Sequence, residues 1–114
     1  MRQATDPVAV DDGLVRVVMA STDLTEEEVR AGLAWVDEAI IRSRFNMYHQ
    51  LDRVVRHIGL AVSVSSEDLG FSLEAHGFQP LPADQPTDRM LVAIKAILVD
   101  EEALRKHVES LPTL

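Results

Sequence analysis

Cysteine is absent from all 114 residues, which excludes disulfides, thiolate nucleophiles and cysteine-ligated metals together. Aromatic residues are scarce at 4%, so the core has to be assembled from Val, Leu, Ile, Ala and Met. That set favours packed helices or a small mixed fold over a β-sandwich, whose strands usually carry more Tyr, Phe and Thr. No apolar run approaches the roughly 20 residues of a membrane span. The opening MRQATDPVAVDDG has no uncharged apolar block and carries Asp6, Asp11 and Asp12, which argues against a secretory signal. A soluble, cytoplasmic chain with no membrane association is therefore expected.

Catalytic signatures are missing as well. The chain has no HExxH, no phosphate-cradling GxxxxGK and no Gly-x-Ser-x-Gly elbow. Its histidines, His49, His57, His76 and His107, are never four residues apart, so no helix supplies a two-histidine metal face. The expectation is a protein that is not an enzyme and has neither metal nor cofactor.

What is present is apolar residue at 46% and charged residue at 26%, with a net charge of −8. This composition folds rather than staying disordered. A chain of this length forms one domain, 1–114, that hides roughly two thirds of its extended-chain surface. The charge is uneven. Residues 42–57 hold Arg42, Arg44, Arg53 and Arg56 against Asp52 alone, a basic island in an otherwise strongly acidic chain. Acidic proteins are poor general binders of nucleic acid, because phosphate contacts supply most of that affinity. They suit basic protein partners. The Ala, Val, Arg and Asp bias has a bacterial flavour.

Near the N-terminus, Asp12-Gly13 permits a short hairpin between VAV and LVRVVM. The partly alternating valines equally permit a helix over about 13–20. Thr25, with Glu26, Glu27 and Glu28 behind it, forms an N-terminal cap with acids on the positive end of the dipole. From there the apolar positions Val29, Leu33, Val36, Ile40, Met47, Leu51, Val54 and Ile58 recur at helical spacing, skipping one place at Arg44. The eleven-residue repeat matches a nearly straight helix. A single rod over 25–58 would be about 50 Å long, against a diameter of roughly 34 Å for a compact domain of this size. Either the rod kinks near 43–46, or a second subunit covers its projecting stripe. Gly59 would end it.

Beyond it, Ser65 to Gly77 reads as a short capped helix, and 79–87 as a Pro-rich loop. Thr87 or Asp88 opens a last helical region that Asp100 can recap, making two helices from one. Glu101–Arg105 and Glu102–Lys106 have the spacing of exposed helical ion pairs. The fold expected is all-α, four to five helices around the 25–58 element, with the N-terminal hairpin as an option.

His49, Arg53 and Arg56 fall within about 60° of one another on a helical wheel, opposite Leu51, Val54 and Ile58, with His57 beside them. Such a face can bind a phosphate, a carboxylate or an acidic partner surface. It is equally the wet side that every amphipathic helix needs, and Asp52 has the spacing to pair with Arg56. Arg53, with no acid three or four residues away, is the first choice for a binding cation. Trp35 and Ile41 widen the apolar stripe beside Ile40 and Met47, and these four are the expected self-association surface. The function expected is a non-catalytic helical protein-interaction or regulatory module, such as an adaptor, an accessory subunit or an inhibitor-like protein. It would form a homodimer or bind a larger protein. The alternatives are a dimeric DNA-binding regulator using the Arg-rich face and a small enzyme using His49, Asp52 and His57.

Overall fold

The computed structural model describes the backbone of residues 8–42 and 47–110, and the side chains of residues 13–42 and 52–110. Within these residues lie six helices and no strand: α1 (Val8–Ser21), α2 (Glu26–Arg42), α3 (Met47–Ala61), α4 (Leu69–Ala75), α5 (Thr87–Val99) and α6 (Glu101–Glu109). The all-α expectation holds. The hairpin option does not, because Asp12 and Gly13 lie inside α1. Leu14, Val15 and Val18 are all no more than 2% exposed. Helical spacing brings these three to one side, whereas a strand would send neighbours 14 and 15 to opposite faces.

The start of α2 is built as its sequence implies. The Thr25 hydroxyl accepts from the Glu28 backbone N–H at 3.2 Å, and the Glu28 carboxylate accepts from the Thr25 N–H at 2.9 Å. The same carboxylate is gripped from α5. Arg89 donates through Nε at 2.8 Å and Nη2 at 2.7 Å to the two Glu28 oxygens, and its Nη1 also reaches Asp23 at 3.4 Å. One arginine thus ties the first turns of α2 and α5 to the link after α1. Hydrogen bonds from the Arg89 guanidinium, then from the Thr25 backbone, hold the Glu28 carboxyl at about 2, against an ordinary 4.5. A folded value below the unfolded one means the contribution is complete above pH 4.5 and is lost as pH falls towards 2. The stability gap between the parent and Glu28→Gln, measured by urea unfolding, is expected to shrink across that window. A gap that stays constant there would remove this linkage.

The expected 25–58 rod is two helices. Ala39 and Arg42 of α2 line one groove together with Val54 and His57 of α3. In a straight helix Ala39 and Val54 would be about 22 Å apart. The expected kink at 43–46 lies outside the described residues, but α2 and α3 on either side of it pack against each other. The molecule's longest extent is 43 Å, which a 50 Å rod would exceed. Six positions of the stripe, Val29, Leu33, Val36, Ile40, Val54 and Ile58, are buried in this one chain; the side chains of Met47 and Leu51 lie outside the described residues. Because α3 packs beside α2 instead of extending it, the argument that a second subunit must cover an overhang falls. Gly59 also lies inside α3, which continues to Ala61.

The most extensive helix contact is α2 on α5. It is close because Gly32 lies against Ala93. A Cβ at position 32 would sit 2.7 Å from the Ala93 Cβ, well inside contact distance. α1 lies against α2, α5 and α6, while α3 packs on α2, α4, α5 and α6. The short α4 ends in a Schellman turn. Gly77 takes φ +83°, its N–H donates to the Glu74 carbonyl at 3.0 Å, and the Phe78 N–H donates to the Leu73 carbonyl at 2.8 Å. At Asp100 the backbone leaves helical geometry, and the Asp100 side chain caps α6 through the Ala103 N–H at 3.0 Å. Among the described residues no helix is long and apolar enough to cross a membrane.

Candidate functional site

Burial of Val54 and Ile58 turns one side of α3 inward, which leaves Arg53, Arg56 and His57 exposed on the other. The side chains of His49 and Met47 lie outside the described residues. The tertiary structure then divides the basic island. Arg56 lines a groove of about 400 Å³ between α3 and α6 with Asp52, Val55, Glu101, Leu104 and Arg105. Here Arg105 donates to the Asp52 carboxylate at 2.7 Å. Asp52 is therefore engaged across helices, and neither its expected pairing with Arg56 nor the Glu101–Arg105 pair within α6 forms among the described residues. Two arginines and two acids leave this groove with no net charge, which gives a phosphate little reason to bind. Arg53 is not a free cation either.

His57 goes elsewhere. Its ring meets His76 edge-on, with centroids 5.2 Å apart, and Phe78 at 6.3 Å. The Schellman turn places His76 and Phe78 there, and the Nδ1–H of His76 donates to the Ser72 carbonyl at 2.9 Å. With Arg42 and Gln79 these rings border a groove of about 240 Å³. Arg42 is already paired with Glu38 at 3.0 Å. Among the described residues no carboxylate bonds to His57, which an acid–base pair would need. No group of three or more ligating side chains is placed around a metal position among them. His76 had little signal in the sequence, because its nearest acid, Glu74, is two residues away and points elsewhere on a helix. Only the packing of α4 onto α3 brings it to His57.

The residues expected to form an interface are largely committed to the chain's own interior. Trp35 is 4% exposed and Ile40 1%. The Trp35 ring packs on Phe78 at 5.9 Å, and its Nε1–H donates to the Gln79 carbonyl at 3.3 Å. Trp35 thus pins the linker between α4 and α5 onto α2. Ile41 is partly buried against the same core.

Two features escaped the sequence reading. The first is His107, 3% exposed, whose Nε2–H donates to the Asp37 carboxylate at 2.7 Å. The spacing of Leu104, His107 and Val108 places this histidine on the apolar face of α6, and that was the available sign. The second is the outer face of α5. Met90, Ala93, Ile94 and Ile97 are buried by α2 and its neighbours, yet the rest of the helix is nearly as apolar. Lys95 is the single charge between Met90 and Val99. Val92 remains 44% and Val99 80% exposed, with Leu91, Ala96 and Leu98 partly buried at the flanks. A helix with apolar residues on both its inner and outer faces suits burial on two sides. This one has an interior on one side only.

Comparison with protein families, curated proteins and solved structures finds no match.

Proposed function

We propose that this chain is a non-catalytic helical protein-interaction module that works through the outer face of α5. The observation that supports the reading is the apolar outer flank of α5, left uncovered at Val92 and Val99. Scattered exposed valines need no explanation, but here four apolar side chains, Leu91, Val92, Leu98 and Val99, share one helix flank interrupted by one charge. Phe71 is also 78% exposed; it stands alone on α4 between Gly70 and Ser72, with Glu74 one turn on, and forms no stripe. The charge-balanced α3–α6 groove and the carboxylate-free His57–His76 pair give less support to the DNA-binding and enzymatic alternatives.

The test is a photo-crosslinking residue at position 99, a site whose exposure lets it be replaced without touching the core. Specific crosslinks to protein, whether a second copy or another chain, are expected in the native host. They should disappear in the Val92→Glu background while the circular dichroism spectrum is unchanged. Crosslinks that are absent, or that persist in Val92→Glu, would overturn the reading.

A further inference from the structure

The flank of α5 carries its own charge code. Seven residues separate Asp88 from Lys95, which on an α-helix is about 10 Å of rise and a rotation of only about 20°. The two side chains therefore stand on the same outward line, one near each end of a stripe that has Val92 between them and Val99 beyond. Both are exposed, and neither makes an ion pair among the described residues. Unpaired opposite charges set symmetrically about Leu91–Val92 form a pattern that complements itself when reversed.

We infer that the partner seated on this face is a second copy of the same chain, with the two α5 helices antiparallel about a two-fold axis at Leu91–Val92. This rests on the proposed interaction role of α5 and names its occupant. In this arrangement Asp88 of each copy meets Lys95 of the other, and Leu91 and Val92 close the centre. A parallel pairing sets Asp88 on Asp88 and Lys95 on Lys95, like charge on like, and is disfavoured. An axis further along, pairing Lys95 with Glu102, would lie beside the Asp100 break, where α6 leaves the line of α5. Isologous contacts of this kind are the commonest route to a closed dimer. The strip is one helix of 13 residues, about 20 Å long and about 10 Å across, a footprint of about 200 Å² against the ~800 Å² per partner of a standard interface. The dimer is accordingly a weak one, formed at micromolar concentrations.

Charge reversal tests it on the full chain. In sedimentation velocity, Asp88→Lys and Lys95→Asp each face two like-charge contacts and are expected to dimerise at least tenfold more weakly than the parent. Mixed in equal amounts, the two variants place lysines opposite aspartates at both contacts, and dimerisation at about the parent affinity should return as a heterodimer. Lys95→Asp lies in mid-helix on the exposed side, so its circular dichroism guards against loss of fold. Should the Asp88→Lys helix start fray, Asp88→Asn gives the milder comparison, with weakening of the same sign. A parent that stays monomeric throughout the micromolar range overturns the inference. So does a mixture that fails to recover, or single variants indistinguishable from the parent. If the parent is monomeric while position 99 still crosslinks to a different protein, the interaction reading stands and only the second copy is refuted.

Discussion

Gly32→Val is expected to destabilise the protein by about 3 kcal/mol, the upper part of the range for overpacking a close contact. For a domain of this size that lowers the melting temperature on the order of 10 °C. The reason is the approach of α2 to α5, where even a single Cβ at position 32 would meet the Ala93 Cβ at 2.7 Å, against the ~3.5–4.0 Å of carbon atoms in contact. Ala93 is short and fixed to its helix, so it has no rotamer to move; the two helices must separate, and with them the interior around Ile94 and Val36, both 0% exposed. Gly32→Ala is the more informative change. Alanine is favoured over glycine within a helix by about 0.5–1 kcal/mol, so the measured loss is the steric cost less that gain, a net of about 1 kcal/mol. Adding Ala93→Gly should return part of it, making the double variant more stable than the two single changes sum to. Thermal unfolding of the four proteins decides this, and a Gly32→Ala protein at least as stable as the parent would show that the helices do not cross so closely.

His107→Ala should cost about 3 kcal/mol, combining a cavity with loss of a buried hydrogen bond to a carboxylate. Asp37→Ala should cost less, about 1–3 kcal/mol, the penalty for leaving an imidazole N–H without its acceptor inside the protein. Together they should cost less than their sum by about 1 kcal/mol, because the second change removes a partner already lost. Arg105–Asp52 is the control. It has the same 2.7 Å separation, but its side chains are 46% and 78% exposed, against 2% and 21% for His107 and Asp37. Water competes for the exposed pair, so Asp52→Ala should change stability by less than about 1 kcal/mol. Equal effects in urea unfolding at the two pairs would mean that burial does not set their strength.

Local signals were legible at several helix ends, though Gly59, a local stop signal, lies inside α3. Thr25 and Glu28 announced the start of α2, Asp100 the restart at α6, and Gly77 the end of α4, because each cap is satisfied by backbone groups within a few residues. The buried stripe of α2 and α3 was readable for the same reason. The reversal between these helices was not, since two amphipathic segments in the same period look identical whether they run on or fold back. Leaving the Arg44 place empty was the one hint in the stripe. Among the site residues, Arg56 and His57 were correctly placed on the outside of α3, but their neighbours Arg105 and His76 come from elements 49 and 19 residues further along the chain.

The sequence by itself determined that the chain is helical, where α2 and α6 begin and α4 ends, and which side of α2 faces inward, because those depend on hydrogen bonds and periodicity within a few turns. Only the tertiary structure decided which charges are spent. Folding α3 back along α2 brings α6 against the arginine face, so that Asp52 takes Arg105 and the apparent cationic site becomes a balanced groove. The same packing buries Trp35 and leaves Val92 and Val99 outside. Periodicity marks a residue as apolar; whether another helix arrives to cover it depends on contacts from far along the chain.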